Sequence, residues 1–189
     1  MIWRTVSIVS LAVLVLLAGW SYGLNQEVGE LRSALAAERD ENVIDALAAA
    51  AAQELQDQAA VEALNVRYAR AFDLNERNGA AWADTFTADG VFVVGGEEHV
   101  GHGALIAFQQ GLVEAGRRTR HVMSNIEMTR RGDAATASAY LTLYTPADTA
   151  GGEVKVSTSR YKDELVLTEA GWKFKRREVV PDTLAVKSD

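Results

Sequence analysis

The chain has 189 residues, a formal net charge of −7 and no cysteine, so disulfide and thiolate chemistry are excluded. Its length suits one domain of about 100–150 residues plus additional segments. Residues 24–60 carry eight acids against Arg32 and Arg39, while residues 61–189 carry eighteen acids against sixteen bases and lack the excess positive charge of a nucleic-acid binder.

Thr5 to Trp20 reads TVSIVSLAVLVLLAGW, preceded by Arg4 and closed by Trp20 and Tyr22. Extended through Tyr22, the stretch approaches the roughly 20 residues that span a bilayer as a helix, and aromatics at its end suit the interface. Arg4 before it and acids after it predict the N-terminus inside and the rest of the chain extracytoplasmic, periplasmic or extracellular. Ser21 and Gly23 leave a cleaved secretory signal, and hence a secreted domain, as the alternative to a single-pass anchor over residues 1–23.

Residues 24–57 are acidic and alanine-rich, without proline, and Gly29 alone interrupts the helix formers. Leu24, Val28, Leu31 and Leu35 share one helical face; Ile44, Leu47, Ala51 and Leu55 resume a stripe after the charged patch Glu38 to Asn42. Two heptads fall short of the three or four that define a coiled coil by pattern alone. The segment is a helical stalk, either self-associating or a solvated spacer.

From Ala59 to Phe72 the helix continues with Val61, Leu64, Tyr68, Ala71 and Phe72 at three-four spacing. A second short helix is predicted over Asn78 to Phe86, ended by the turn signal Ala88-Asp89-Gly90. Val91 to Val94 reads as a strand, Gly95-Gly96 as a turn, and Gly103 to Glu114 as a helix. Four β-type segments follow, Thr119 to Arg130, Ala134 to Thr145, Glu153 to Leu167 and Trp172 to Val180, joined by short links that make them antiparallel neighbours. Helices first and a meander afterwards predict an α+β layer.

This order, with VRYARAFDLNERNGAAWADTFTADGVF, GHGALIAF, RRTRHVMSNIEM, RGDAATASAYLTLY and SRYKDELVLTEAGWKF in sequence, resembles the nuclear transport factor 2-like superfamily, specifically its SnoaL-like branch, over residues 58–182. The resemblance implies a cone: a curved antiparallel sheet wrapped around N-terminal helices to enclose a mostly apolar pocket. Residues 183–189 are a C-terminal tail. The scaffold hosts dehydratases, isomerases, cyclases and binding modules alike, so it does not fix the activity.

Candidate pocket-lining aromatics are Tyr68, Phe72, Trp82, Phe86, Phe92, Tyr140 and Tyr144. Asp73 closes the first helix at the place where enzymes of the scytalone dehydratase type carry a pocket carboxylate, and an apolar pocket disfavours its charged form, which suits a general base. His121, in an Arg-Thr-x-His pattern, resembles the pocket histidine of those enzymes and suits proton exchange near neutral pH. Those enzymes carry a further histidine on a later strand, where this chain reads Val154 to Arg160 with none. Asn125, Tyr140, Tyr144 or Arg177 would then supply polarisation.

Strict alternation puts His121, Met123, Asn125 and Glu127 on one face and Val122, Ser124, Ile126 and Met128 on the other. Both faces are partly apolar, so either a bulge reverses the parity or the outer face meets a partner, as in the sheet-to-sheet homodimers of many relatives. Glu97, Glu98, His99 and His102 lack a third spaced ligand and read as an exposed turn, so no metal and no cofactor are expected. The functional expectation is a membrane-tethered pocket domain that binds a small apolar molecule or a protein partner without catalysis. The alternative is a cofactor-independent lyase or isomerase using Asp73 and His121 on a small cyclic substrate.

Overall fold

The computed structural model describes residues 2–147 and 152–182; the side chains of residues 2–19, 21, 22 and 77 lie outside that description. The membrane-segment reading of residues 5–22 rests on those side chains and the tail reading on residues 183–189, so both fall outside the described residues. Among the described residues no helix is long and apolar enough to cross a membrane. The chain divides into two compact units, residues 1–53 and 54–189. Helix α1 (Ile2–Asp73) supplies residues 2–53 to the first unit and opens the second with residues 54–73.

In the second unit α1 buries the stripe Val61, Leu64, Tyr68 and Ala71, each at most 3% exposed, which is why the three-four spacing matters there. Burying a leucine such as Leu64 contributes about 1.5–3 kcal/mol. The helix stops where Asn75 and Asn78 take φ of 48° and 53° and Gly79 takes 88°, left-handed conformations that asparagine and glycine adopt most readily. The buried Gln109 side chain donates from Nε2 to the carbonyls of Phe72 (2.8 Å) and Ala71 (3.3 Å), satisfying acceptors that a helix C-terminus leaves open.

After a short 3₁₀ turn (Glu76–Gly79) come α2 (Ala80–Ala83), β1 (Phe86–Val94), β2 (Glu97–Val100), α3 (Gly101–Glu114), β3 (Arg120–Arg131), β4 (Ala134–Thr145), β5 (Lys155–Thr168) and β6 (Gly171–Pro181). The six strands form one sheet in the order β2-β1-β6-β5-β4-β3. The fold is α+β, and the meander β3 to β6 is antiparallel as the short links require. The pair β1 and β6 is parallel, a departure from the purely antiparallel sheet the sequence predicts.

The second predicted helix is shorter than expected. Phe86 already begins β1, and Ala88-Asp89-Gly90 makes an excursion within that strand instead of ending a helix: between Phe86 and Val91 the register against β6 advances only from Phe174 to Arg176. Gly90 sits where a Cβ would lie 2.7 Å from the Phe86 Cβ and 3.1 Å from the Phe174 carbonyl oxygen, so the two strands close only around a residue without a side chain. Gly90→Ala is therefore expected to destabilise the protein by about 1–3 kcal/mol in urea unfolding, whereas Gly103→Ala, with open space around it, serves as the neutral comparison.

On β4, Ala135, Ala137 and Ala139 alternate inward and are small, which lets α1 lie close to the sheet. At the start of the second unit Asp57 takes a hydrogen bond from Trp172 Nε1 (3.0 Å) and an ion pair from Arg130 (2.5 Å), while Gln58 Nε2 donates to the Ile126 carbonyl (2.8 Å). These contacts set α1 against β3 and β6, and so fix where its far end, Asp73, meets β3.

Candidate functional site

The end of α1 and the start of β3 bring Asp73 and His121 together across 48 residues of sequence. His121 Nδ1 lies 2.6 Å from Asp73 Oδ1, the His121 backbone N–H donates to Asp73 Oδ2 (2.9 Å), and the Thr119 hydroxyl donates to Oδ1 (3.3 Å). The carboxylate is an acceptor only, so in the neutral imidazole this contact places the proton on Nδ1 and leaves Nε2 with its lone pair. No hydrogen bond engages Nε2 among the described residues. The two side chains are 6% and 4% exposed, and the imidazole stands edge-on to Phe72 (5.0 Å) and Tyr68 (6.0 Å).

A β-bulge resolves the parity conflict of β3. Ser124 pairs with Tyr140 and Glu127 with Ser138, so β3 has one residue more than β4 at Asn125-Ile126, and Asn125 takes φ of 52°. His121 and Met123 face inward before the bulge, Ile126 and Met128 after it, all half-buried against the core. Asn125 itself is exposed at the bulge rather than lining the interior. Tyr140 and Tyr144 also face outward, 55% and 39% exposed, because β4 turns Ala139, Leu141 and Leu143 inward and the intervening residues must point the other way.

The remaining predicted residues gather inside. Tyr68, Trp82 and Phe86 are fully buried and Phe92 is 4% exposed, in edge-to-face contact: Tyr68 to Trp82 at 5.8 Å, Trp82 to Phe92 at 5.3 Å and Phe72 to Trp82 at 5.0 Å. They fill the cone beneath the dyad, and Phe72, Met123 and Leu143, half-buried, remain beside His121.

Arg177 is fully buried and engaged. Its Nε and Nη2 donate to the two oxygens of Asp163 (2.8 and 2.7 Å), and Nη2 also donates to Asn65 Oδ1 (2.6 Å). The guanidinium stacks on the rings of Phe174 (3.8 Å), Tyr161 (3.9 Å) and Tyr68 (4.4 Å), leaving Nη1 without a hydrogen-bond partner. Burial alone would lower the arginine's proton affinity, but the Asp163 carboxylate and the neighbouring phenols hold it above the ordinary value. A second bulge delivers it: Leu165 pairs with Phe174 but Glu164 with Arg176, so β6 gains a residue and the inward position after Phe174 moves one place on, from Arg176 to Arg177.

The Tyr161 hydroxyl approaches that of Tyr68 (3.4 Å). Burial pushes the Tyr161 phenol well above its usual range, reinforced by Tyr68, and burial likewise raises Tyr68 against the pull of Arg177. Phenols raised in the folded state contribute stability that is present below the ordinary phenol pKa of about 10 and lost as pH climbs beyond it, because the unfolded chain ionises first. Ultraviolet titration is expected to show Tyr68 and Tyr161 ionising only as the protein unfolds. Tyr161→Phe should make the alkaline loss of stability shallower.

The acid-histidine cluster near β2 is spread among structural contacts: His99 packs on Phe108 (4.4 Å), Glu98 pairs with Arg176 (2.8 Å) and His102 Nε2 lies 3.2 Å from the Phe86 carbonyl. Among the described residues no group of three or more His, Asp or Glu could hold a metal ion. An open groove of about 460 Å³ runs along the other side of α1, past Arg67, Arg70, Glu76 and Asp84, and contains no member of the dyad.

Sequence reasoning missed Thr119, Met123, Leu143, Asn65 and Asp163. Asp163 alternates inward between Tyr161 and Leu165, and that pattern of a charge at a core position is a signal readable from sequence.

A family profile described as a SnoaL-like domain matches residues 53–178. Among solved structures, a variant of the Mycobacterium tuberculosis protein Rv3472 with one aspartate changed to asparagine, a protein of unknown function, is 25% identical with a TM-score of 0.65, over 71% of this chain and 77% of that one. A nuclear transport factor 2-like protein with a cystatin-like fold from Novosphingobium aromaticivorans is 25% identical with a TM-score of 0.60, over 72% and 90%. A protein from the same organism, provisionally assigned as a scytalone dehydratase, has the same fold at 20% identity and a TM-score of 0.59, over 71% and 97%. No curated protein matches the chain significantly.

Proposed function

Because the chain belongs to the SnoaL-like family, whose cone scaffold binds ligands or performs dehydration and isomerisation, we propose that it is a cofactor-independent acid–base catalyst, a lyase or isomerase acting on a small, largely apolar cyclic substrate. The observation that carries this reading is the 2.6 Å contact between His121 Nδ1 and Asp73 in apolar surroundings. Asp73 is occupied by three donors from residues 119 and 121, so its role is to hold the imidazole, and His121 Nε2 is the atom that moves protons.

In the lyase case Nε2 takes a C–H proton from the substrate, a carbon–carbon double bond forms, and the bond to a hydroxyl on the adjacent carbon breaks. The imidazolium returns its proton to the departing hydroxide, which leaves as water, and the ring is neutral again. In the isomerase case the proton returns to a different carbon. Phe72, Met123 and Leu143 give the substrate an apolar surface beside the imidazole.

A second reading, a ligand- or partner-binding module without turnover, is favoured by one feature: β5 offers no histidine to complete a dehydratase-type pair, and its inward carboxylate, Asp163, is taken by Arg177. Exposed Val122, Tyr140, Tyr144 and Val156 on the outer face support a sheet-to-sheet homodimer in either reading. Residues 5–22 would tether the domain to the outer side of a membrane. The deciding experiment is a turnover screen of hydroxylated and unsaturated ring compounds against the native protein and His121→Gln; turnover that survives the substitution removes His121 from the chemistry, and ligand binding without turnover supports the module.

A further inference from the structure

We propose that residues 24–35 of α1 pair in parallel and in register with the same segment of a second copy of this chain, as a short two-stranded coiled coil. In the first unit every described side chain from residue 23 to 53 is exposed, including Leu24 (50%), Val28 (39%), Leu31 (70%) and Leu35 (66%). Four large apolar side chains on one stripe of an otherwise polar helix are a surface built for a partner.

The spacing of those four residues, four then three then four, is that of alternating d and a positions, with Val28 and Leu35 at a and Leu24 and Leu31 at d. A β-branched residue at a beside leucine at d favours two strands. The polar residues of the same turns lie outside the seam, with Gln26 Nε2 donating to Glu30 (3.5 Å) and Ser33 Oγ to the Gly29 carbonyl (3.0 Å).

Charge fixes the partner and its direction. In this frame Glu27 falls at g and Arg32 at the following e, the two positions that meet across a parallel, in-register pair, so each Glu27 faces Arg32 of the second copy twice over by symmetry. An antiparallel pair over the same four apolar residues would set g against g and e against e, leaving Glu27 opposite Ala34 and Arg32 opposite Asn25 without the ion pairs. The same frame reaches Glu38, Asn42 and Asp45 beyond Leu35, and Ile44, nine residues on, lies two and a half turns away on the opposite side, so the seam ends there.

The chain has no cysteine of its own, which makes disulfide trapping in the full-length protein direct. Leu31→Cys, whose side chain would face its own copy, is expected to form a disulfide dimer at least about ten times faster than Ser33→Cys on the outer side. Tyr140→Cys reports separately on the outer sheet face. Equal rates at residues 31 and 33, or dimers from Tyr140→Cys alone, would overturn the proposal. Glu27→Lys in the Leu31→Cys background should slow trapping several-fold and Glu27→Lys with Arg32→Glu restore it; indifference to both rejects the parallel register. These exposed stalk positions make none of the dyad's contacts, so the outcome bears on association and leaves the catalytic reading to its own test.

Discussion

Asp73→Asn is expected to lower kcat by about 10²-fold or more for a reaction that opens with proton abstraction, and His121→Gln by about 10²–10⁴-fold, the range that a positioned acid–base group supplies. The two losses have different causes. In His121→Gln the proton-transferring atom is gone. In Asp73→Asn the imidazole stays, but the amide has one acceptor and one donor side where the carboxylate had two acceptors. The His121 backbone N–H claims the amide oxygen, as it now claims Oδ2. The amide nitrogen then faces Nδ1 and donates to it, which moves the ring proton to Nε2. A histidine with Nε2 protonated can give a proton first but cannot take one. The substitution therefore separates base from acid: activity that starts with abstraction collapses, whereas a reaction started by protonation persists. Nitrogen-15 shifts of the ring check the premise without a substrate. The native protein should show a protonated Nδ1 and a bare Nε2, and Asp73→Asn the reverse. An unchanged ring tautomer, with unchanged turnover, would remove the dyad from the chemistry.

Asp73 and His121 were legible through the resemblance to enzymes of the scytalone dehydratase type, each on a local landmark: one closes an amphipathic helix, the other opens a strand after a run of arginines. The element order apart from β2 was legible because periodicity and turn residues are local; Glu97–Val100 reads as an exposed turn and is a strand because it pairs with β1. What escaped was decided by pairing between distant strands. The bulge at Asn125 was one of two alternatives the alternating pattern left open, and only the register against β4 selects it. The bulge that turns Arg177 inward follows Trp172 and Phe174, whose alternation points to Arg176 instead. Tyr140 and Tyr144 looked like pocket residues because aromatic side chains are usually buried, yet their places on β4 are set by the small alanines that face α1. Ala88-Asp89-Gly90 carries a turn signal that predicts the end of a helix, but it lies inside β1, and the strand resumes beyond it because β6 holds both flanks.

Arg177→Met is expected to be the most destabilising of the conservative-sized substitutions. It leaves Asp163, 1% exposed, with an unpaired carboxylate, and removing one partner of a buried ion pair costs about 3–5 kcal/mol. For a unit of this size that corresponds to a fall in Tm of about 10–20 °C by calorimetry. The pair itself is a different quantity from the cost of breaking it. With Asp163→Leu added, the orphaned charge disappears and most of the loss should return, because a well-packed apolar pair replaces a buried ionic one at little net cost. The recovery should stop short of complete, since Asn65 Oδ1 also loses its donor and the rings of Phe174, Tyr161 and Tyr68 lose the cation they enclose. Arg177→Lys should resemble Arg177→Met more than the native protein: an ammonium cannot meet Asp163 with two parallel bonds while lying flat against three aromatic faces. Because the Tyr68 ring touches both the guanidinium and the His121 imidazole, the double substitution also asks whether the dyad depends on that cation. Native turnover in a refolded Asp163→Leu/Arg177→Met protein would show the ion pair to be a folding element alone, and a fall in kcat with the native ring tautomer retained would assign Arg177 a positioning role through Tyr68.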